Sequence, residues 1–350
     1  MRIVVICDVV SGFHLISAIS HIQVLDDCSF LDIHLLPGIK GSYLLPEGRG
    51  RIGHLEFKVS HQVSRRASEW VVRFVKFSFV RMKRAIYPVR FRRTRDFRVI
   101  IGHHTYFKPA SLAYSPTSRM TDISTFSFEE GIGTYGGMKH HVHAARREGR
   151  QFARTKYLLR KGLSHDFWLD SSRTFLKTRS DLERDQYRTA ISTLLAARYE
   201  SGALLFPASA RVDLKGAVLF FSSPLYDLNL MSMPQYIDFI KRVEAFYASK
   251  GKGLVLKLHP MESCSETLRG AGIEVIDDPR PVEMLISEAQ PDSVAGLSSG
   301  ALITANALFK LQARSFLAWL TETAREQLKV RGELKEIFEG AVDFIGLNDE

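Results

Sequence analysis

Cysteine is scarce. The 350-residue chain holds only Cys7, Cys28 and Cys264, at spacings that form neither a disulfide framework nor a paired metal or redox motif. A reducing, cytoplasmic setting is therefore expected. Long apolar runs are missing too, which excludes an ordinary bilayer-spanning helix. The opening MRIVVICDVV carries Asp8 within it and no small-residue cleavage site, so it reads as a first core strand and not a secretory signal. Internal repeats, low-complexity tracts and Gly/Ser linkers are absent, which argues against solenoids and tethered modules. Acidic residues are nearly missing from one stretch: between Arg65 and Arg98, twelve Lys or Arg stand against only Glu69 and Asp96.

What is present is the composition of a soluble globular protein, with 45% hydrophobic and 25% charged residues. The length suits two domains better than one core. A net charge of +10 attracts polyanions, and its uneven placement directs attention to particular segments. Ala67 to Lys83 has helical spacing, with Trp70, Phe74, Phe77 and Val80 on one side and Arg73, Lys76 and Lys83 on the other. Such a basic amphipathic helix can lie on an anionic membrane surface or cover a sheet. The block Arg90, Arg92 and Arg93 is a candidate contact for an acidic glycan or glycolipid. Nucleic acid is not expected as a partner, because no reader motif accompanies the charge.

Short apolar strands alternate with helical segments. Ile3–Cys7 is followed by helical spacing from Phe13 to Val24, then strands at Leu31–Leu36, His54–Val59, Val99–Gly102 and Ile123–Phe128. Further strands at Ala217–Phe221, Leu254–Leu258, Ile273–Ile276, Ser293–Leu297 and Ala313–Ala318 are continuous in apolar character. That is the pattern of parallel strands covered on both faces, so a doubly wound α/β fold is predicted. Ser232 and Gln235 form a capping box ahead of a helix carrying Ile237, Ile240, Val243 and Phe246. A break near Pro207–Lys215 divides the chain into residues 1–210 and 211–350, two lobes with a ligand cleft between them.

Three familiar patterns fail on context. Gly131, Gly133 and Gly136 match a dinucleotide-binding fingerprint, but no apolar helix follows and no acid stands at the expected distance. Gly296-Leu-Ser298-Ser-Gly300 matches a hydrolase elbow, yet the last histidine, His259, precedes it, which is the wrong chain order. His140, His141 and His143, with His103 and His104, have no common metal-ligand spacing, so no metal is expected.

Three other motifs each close an apolar run. Glu129-Glu130-Gly131 puts carboxylates at a strand end, where one can act as general base towards a hydroxyl. Lys257-Leu-His259-Pro260 offers a cation and an imidazole to a phosphate leaving group, with Pro260 ending the strand behind the histidine. Ser298-Ser299-Gly300 opens a helix over 301–308 with hydroxyls and free backbone N–H groups, an anion site sized for one phosphate. A base on one lobe and a phosphate clamp on the other suit transfer from a nucleotide monophosphate sugar.

In that order, Glu-Glu-Gly, His-Pro and Ser-Ser resemble the three motifs of the bacterial sialyltransferases. The extended run Glu129 to Gly136 looks closest to the polysialyltransferase family, and the lipooligosaccharide sialyltransferases are similar. The run Ser11 to Ala18 after the first strand also resembles the start of these chains. The resemblance implies a GT-B fold of two Rossmann-like domains, with an acceptor lobe over residues 1–210 and a donor lobe over 211–350. It implies an inverting, metal-independent transferase using CMP-sialic acid in capsule or lipooligosaccharide synthesis. It assigns Glu129 as base with Glu130 as substitute, His259 as acid or phosphate partner, and Lys257 as a nucleotide contact. Ser298 and Ser299 become phosphate ligands, Pro260 a donor contact and Glu283 a ribose contact. Met261-Glu262 departs from the residues common after the His-Pro pair, which leaves CMP-Kdo open as donor. A non-catalytic polyanion- or nucleotide-binding protein on the same fold is the alternative from another class. Contact with the cytoplasmic face of the inner membrane is also expected.

Overall fold

The computed structural model describes residues 3–9, 15–17, 19–20, 28–35, 45–61, 97–103, 123–128, 164–167, 179–181, 184–206, 213–259, 262–276, 278, 280–327 and 340–346. Two sheets organise them. The first takes β1 (Ile3–Val9), β2 (Cys28–Leu35), β3 (Gly48–Ile52), β4 (Leu55–His61), β5 (Phe97–His103), β6 (Ile123–Phe128), β7 (Ser164–Phe167), β8 (Arg179–Asp181) and β9 (Arg198–Tyr199). Their order is β8-β7-β6-β5-β1-β2-β4-β3-β9. All pairings are parallel except those of β3 with β4 and with β9.

Strand β3 was not expected from sequence, because Gly-Arg-Gly-Arg-Ile has a single apolar residue. Its glycines explain the pairing: a Cβ on Gly50 would collide with the Arg198 carbonyl and the Phe57 ring. Helix α1 (Arg184–Leu195) was also unforeseen. It buries Tyr187, Ala190, Ile191 and Leu194 in a cluster with Leu15, Ile16, Ile19, Leu31 and Ile33. The same cluster takes in Met284 and Leu308 from the second half of the chain, and Arg188 donates to the Leu308 carbonyl at 2.7 and 3.0 Å.

The second sheet is wholly parallel, with β10 (Ala217–Phe221), β11 (Gly253–Lys257), β12 (Val275–Ile276), β13 (Ser293–Gly296), β14 (Gln312–Ser315) and β15 (Asp343–Phe344). Its order is β12-β11-β10-β13-β14-β15. The chain moves outward from β10 through α2 (Met233–Ala248) to β11 and through α3 (Ser265–Gly270) to β12. It then returns through α4 (Val282–Ala289) to β13 on the other side of β10, and continues through α5 (Gly300–Phe309) to β14. The reversal between β10 and β13 is the topological switch point at which doubly wound sheets open a crevice.

Apolar continuity in β10 follows from burial on both faces. Val218 and Phe220 pack with Tyr236, Phe239, Ile240 and Val243 of α2, while Leu219 and Phe221 meet Leu285, Ile286, Leu302 and Ile303 of α4 and α5. Phe316, fully buried, stacks edge-on with Phe246 and Trp319 at ring separations of 5.3 and 4.8 Å. The expected capping box starts α2: the Ser232 N–H donates to the Gln235 side chain at 2.9 Å. Of the predicted helices, residues 15–17 and 19–20 are helical, and 67–83 lies outside the described residues.

Gly296 has no room for a side chain beside β10. A Cβ there would stand 2.8 Å from the Phe221 carbonyl oxygen, backbone that cannot rotate away. Gly296→Ala is expected to cost about 1–3 kcal/mol, read as a lower urea midpoint at unchanged slope.

Candidate active site

Strand register brings the second and third motifs together. Phe221, the last residue of β10, is level with Lys257 of β11 on one side and with Gly296 of β13 on the other. The residues that follow, Ser222, His259 and Ser298, therefore leave the same rim of the sheet at three adjacent strand ends. At the usual spacing between strands, the chains carrying His259 and Ser298 are about 10 Å apart with β10 between them. That rim is the carboxyl edge, at the switch point.

Ser299 is the N-cap of α5, with extended backbone (φ −72°, ψ 132°) and a side chain accepting from the Ala301 N–H at 3.3 Å. The loop before it is pinned from β14, where the buried Ser315 hydroxyl donates to the Leu297 carbonyl at 2.6 Å. Ser298 and Ser299 are half-buried, so their hydroxyls border solvent while the loop beneath is fixed.

Lys257 donates through Nζ to the Asp278 carbonyl oxygen. Asp278 itself is 5% exposed and held by Arg280, which is 2% exposed, through contacts from Nε at 3.0 and 3.1 Å and from Nη2 at 2.8 Å. Burial alone would raise the Asp278 pKa, but the Arg280 hydrogen bonds and charge outweigh it and hold the carboxyl below its ordinary value. Arg280 also reaches Glu288 at 2.6 Å through Nη1. A buried ion pair thus braces the lysine.

His259 stands at the exposed rim. Desolvation of its ring, with the neighbouring Lys257 charge second, lowers its pKa from the ordinary value of 6.5. The imidazole is therefore mostly neutral at pH 7, a state that needs an incoming negative charge to become a cation. Glu283, in the first turn of α4, is buried and accepts from the Thr304 hydroxyl at 3.1 Å. Burial raises its pKa, against its own backbone bond, Thr304 and the Lys257 charge.

Of the residues singled out by sequence, Lys257, His259, Ser298 and Ser299 meet at this rim, and Glu283 opens the helix leading into β13. Glu129, Glu130, Pro260, Arg90, Arg92 and Arg93 lie outside the described residues, as do His104, His140, His141 and His143. Glu129 directly follows Phe128, the last residue of β6 in the first sheet. Sequence reasoning missed Glu262, Ser222 and Tyr236. The Glu262 carboxylate accepts from Tyr236 Oη at 2.7 Å, from the His259 N–H at 2.7 Å and from the Ser222 hydroxyl. The one available signal was a lone acid three residues beyond the histidine.

Two α/β sheets built largely on parallel strands, the second with its switch point at this rim, are the architecture of the GT-B fold. The α/β-galactoside α-2,3-sialyltransferase of the luminous marine bacterium Photobacterium phosphoreum shares that fold, with a TM-score of 0.51 over 98% of both chains at 11% identity. The GT-B domain of the Photobacterium damselae sialyltransferase aligns with 98% of this chain and 100% of its own, at 12% identity and a TM-score of 0.44. MurG of Acinetobacter baumannii aligns with 100% of this chain and 87% of its own, at 10% identity and a TM-score of 0.41. A search of curated proteins found no match. The model of the alpha-2,8-polysialyltransferase (POLYST) family matches residues 112–317, more than half of the chain, and the chain belongs to that family. Among the described residues, no helix is long and apolar enough to cross a membrane.

Proposed function

We propose that this glycosyltransferase moves sialic acid from CMP-sialic acid to a glycan hydroxyl, with inversion and without a metal. The observation that carries the reading is the register of β10, which sets Lys257 and His259 on one side of the switch point and Ser298 and Ser299 on the other. A cation, an imidazole and a helix start with two hydroxyls around one crevice are the donor set for a single phosphate.

In the proposed reaction, Glu129 takes the proton of the acceptor hydroxyl, with Glu130 as substitute. The acceptor oxygen forms its bond to the anomeric carbon as the bond to the CMP phosphate breaks. The leaving phosphate gathers charge beside Lys257, Ser298, Ser299 and the N–H groups of α5, and His259 supplies a proton or hydrogen bond to it. Glu283 holds the ribose of the nucleotide, and Pro260 is a further donor contact. Residues 1–210 would form the acceptor lobe and 211–350 the donor lobe. Arg90, Arg92 and Arg93 would hold an acidic capsule or lipooligosaccharide acceptor, at the cytoplasmic face of the inner membrane.

The Ser298→Ala/Ser299→Ala double variant tests the phosphate clamp. Loss of hydrogen bonds to a charged group is expected to weaken CMP binding by about 10- to 100-fold in calorimetry. Cytidine, which lacks the phosphate, should bind the variant and the parent equally. Undiminished CMP affinity would remove the clamp from the proposal.

A further inference from the structure

We propose that Glu262 is the positioning residue for His259: its side chain, more than the strand, fixes where the histidine backbone sits. The proposal rests on the reading that His259 works at the leaving phosphate. Both polar backbone groups of His259 are held by residue 262. The His259 N–H donates to Glu262 Oε2 at 2.7 Å, and the Glu262 N–H donates to the His259 carbonyl at 2.8 Å. The His259 N–H is shared with Ser222 Oγ at 2.7 Å, and the Ser222 hydroxyl in turn bonds Glu262 Oε2. Tyr236, fixed in α2 and 1% exposed, donates to Glu262 Oε1 at 2.7 Å. Ser222, at the end of β10 and 3% exposed, donates its own N–H to the Lys257 carbonyl at 3.1 Å.

One carboxylate therefore ties α2 and the end of β10 to the strand end that carries the imidazole. Its surroundings do not otherwise favour a charge. Burial raises the pKa of Glu262 and Asp227 adds to that, while the three hydrogen bonds oppose it. The same carboxylate helps raise the Cys264 thiol to about 11, after burial. A loop that needed only packing would be served by an apolar side chain at that position. The donors converge on Glu262 as they would on a group that must hold a neighbour in one geometry.

The test is a double-mutant cycle with His259. Glu262→Ala in the parent should lower kcat by about 30- to 100-fold with CMP affinity changed less than about threefold, the signature of a displaced reacting group. In the His259→Ala background the same substitution should cost less than about twofold, because there is no imidazole left to misplace. Glu262→Gln keeps an acceptor for Ser222 and His259 and should retain activity within about threefold of the parent. A general loss of stability would instead lower activity equally in both backgrounds, and that result overturns the proposal.

A second readout holds whatever the donor proves to be. The His259 imidazole is titrated by NMR, its resonance assigned through its loss in His259→Ala. In Glu262→Ala its pKa should rise towards the ordinary value, since the freed loop leaves the desolvated site beside Lys257. Mere removal of a nearby negative charge would lower it, so an unchanged or lowered value contradicts positioning. If the parent fails to turn over CMP-sialic acid, the proposed function falls while this titration still decides the role of Glu262.

Discussion

Glu129→Gln is expected to lower kcat about a thousandfold while leaving CMP affinity within about twofold, which is the effect of removing a general base. The amide is nearly isosteric and cannot take a proton, so binding and chemistry separate. The proposed donor rim is built from β10, β11 and β13 of the second sheet, whereas Glu129 directly follows β6 of the first. A variant on one sheet should therefore leave nucleotide binding on the other untouched. Glu130→Gln should cost less, since the proposal gives Glu130 only the place of a substitute base. Stopped transfer with retained CMP binding, measured by turnover and calorimetry on the same preparation, is the expected pair of results. Full activity in Glu129→Gln would mean a different carboxylate or a different reaction.

The second large effect concerns Arg280→Ala. Removing one partner of a buried pair strands the other, at a cost of about 3–5 kcal/mol. Asp278 would lose its guanidinium contacts, and Lys257 would lose the support behind its carbonyl partner. The pH dependence has a definite sign. In the parent, the Asp278 pKa lies below its unfolded value, so its contribution is present above the ordinary carboxylate range and is lost as pH falls through the depressed value. In Arg280→Ala the residue-280 N–H and the Lys257 charge still oppose burial, but the guanidinium bonds and charge are gone, so the Asp278 pKa moves up from its depressed position. The gap in unfolding free energy between parent and variant should therefore be widest near neutrality and shrink towards pH ~4. Glu283 and Glu262 have raised pKa values and contribute in the opposite sense, stabilising most below the ordinary range. Both are common to the two proteins and cancel in the difference. Urea unfolding at pH 7 and pH 4 measures the gap; a small, pH-independent gap would show that the pair does not brace the rim.

The second half of the chain was legible because burial on both faces of a parallel sheet leaves an apolar run in the sequence. The prediction for Ala217–Phe221 matches β10, and those for β11 and β13 end within one residue of the observed strands. Strand β3 was hidden because its stability comes from close backbone approach at Gly50, which no hydrophobic pattern reports. Helix α1 did carry the helical spacing of Tyr187, Ala190, Ile191 and Leu194, but charged and hydroxyl residues around it diluted the signal.

The candidate site was readable in the residues that edge the rim and not in those that support them. Lys257, His259, Ser298 and Ser299 stand out because each pair closes an apolar run with polar chemistry. Register, which makes them neighbours, is a property of the folded sheet. Glu262 and Arg280 looked like ordinary surface charges: nothing local tells that one carboxylate will gather Ser222, Tyr236 and the His259 backbone. Nor does the sequence tell that an arginine two residues from an aspartate will be buried with it.

The most direct measurement is CMP release from CMP-sialic acid, run beside CMP-Kdo with a defined glycan acceptor, each with and without EDTA. The expected result is acceptor-dependent release from CMP-sialic acid, unchanged by EDTA and well above that from CMP-Kdo. No release from CMP-sialic acid, release from CMP-Kdo alone, or activity abolished by the chelator would contradict it.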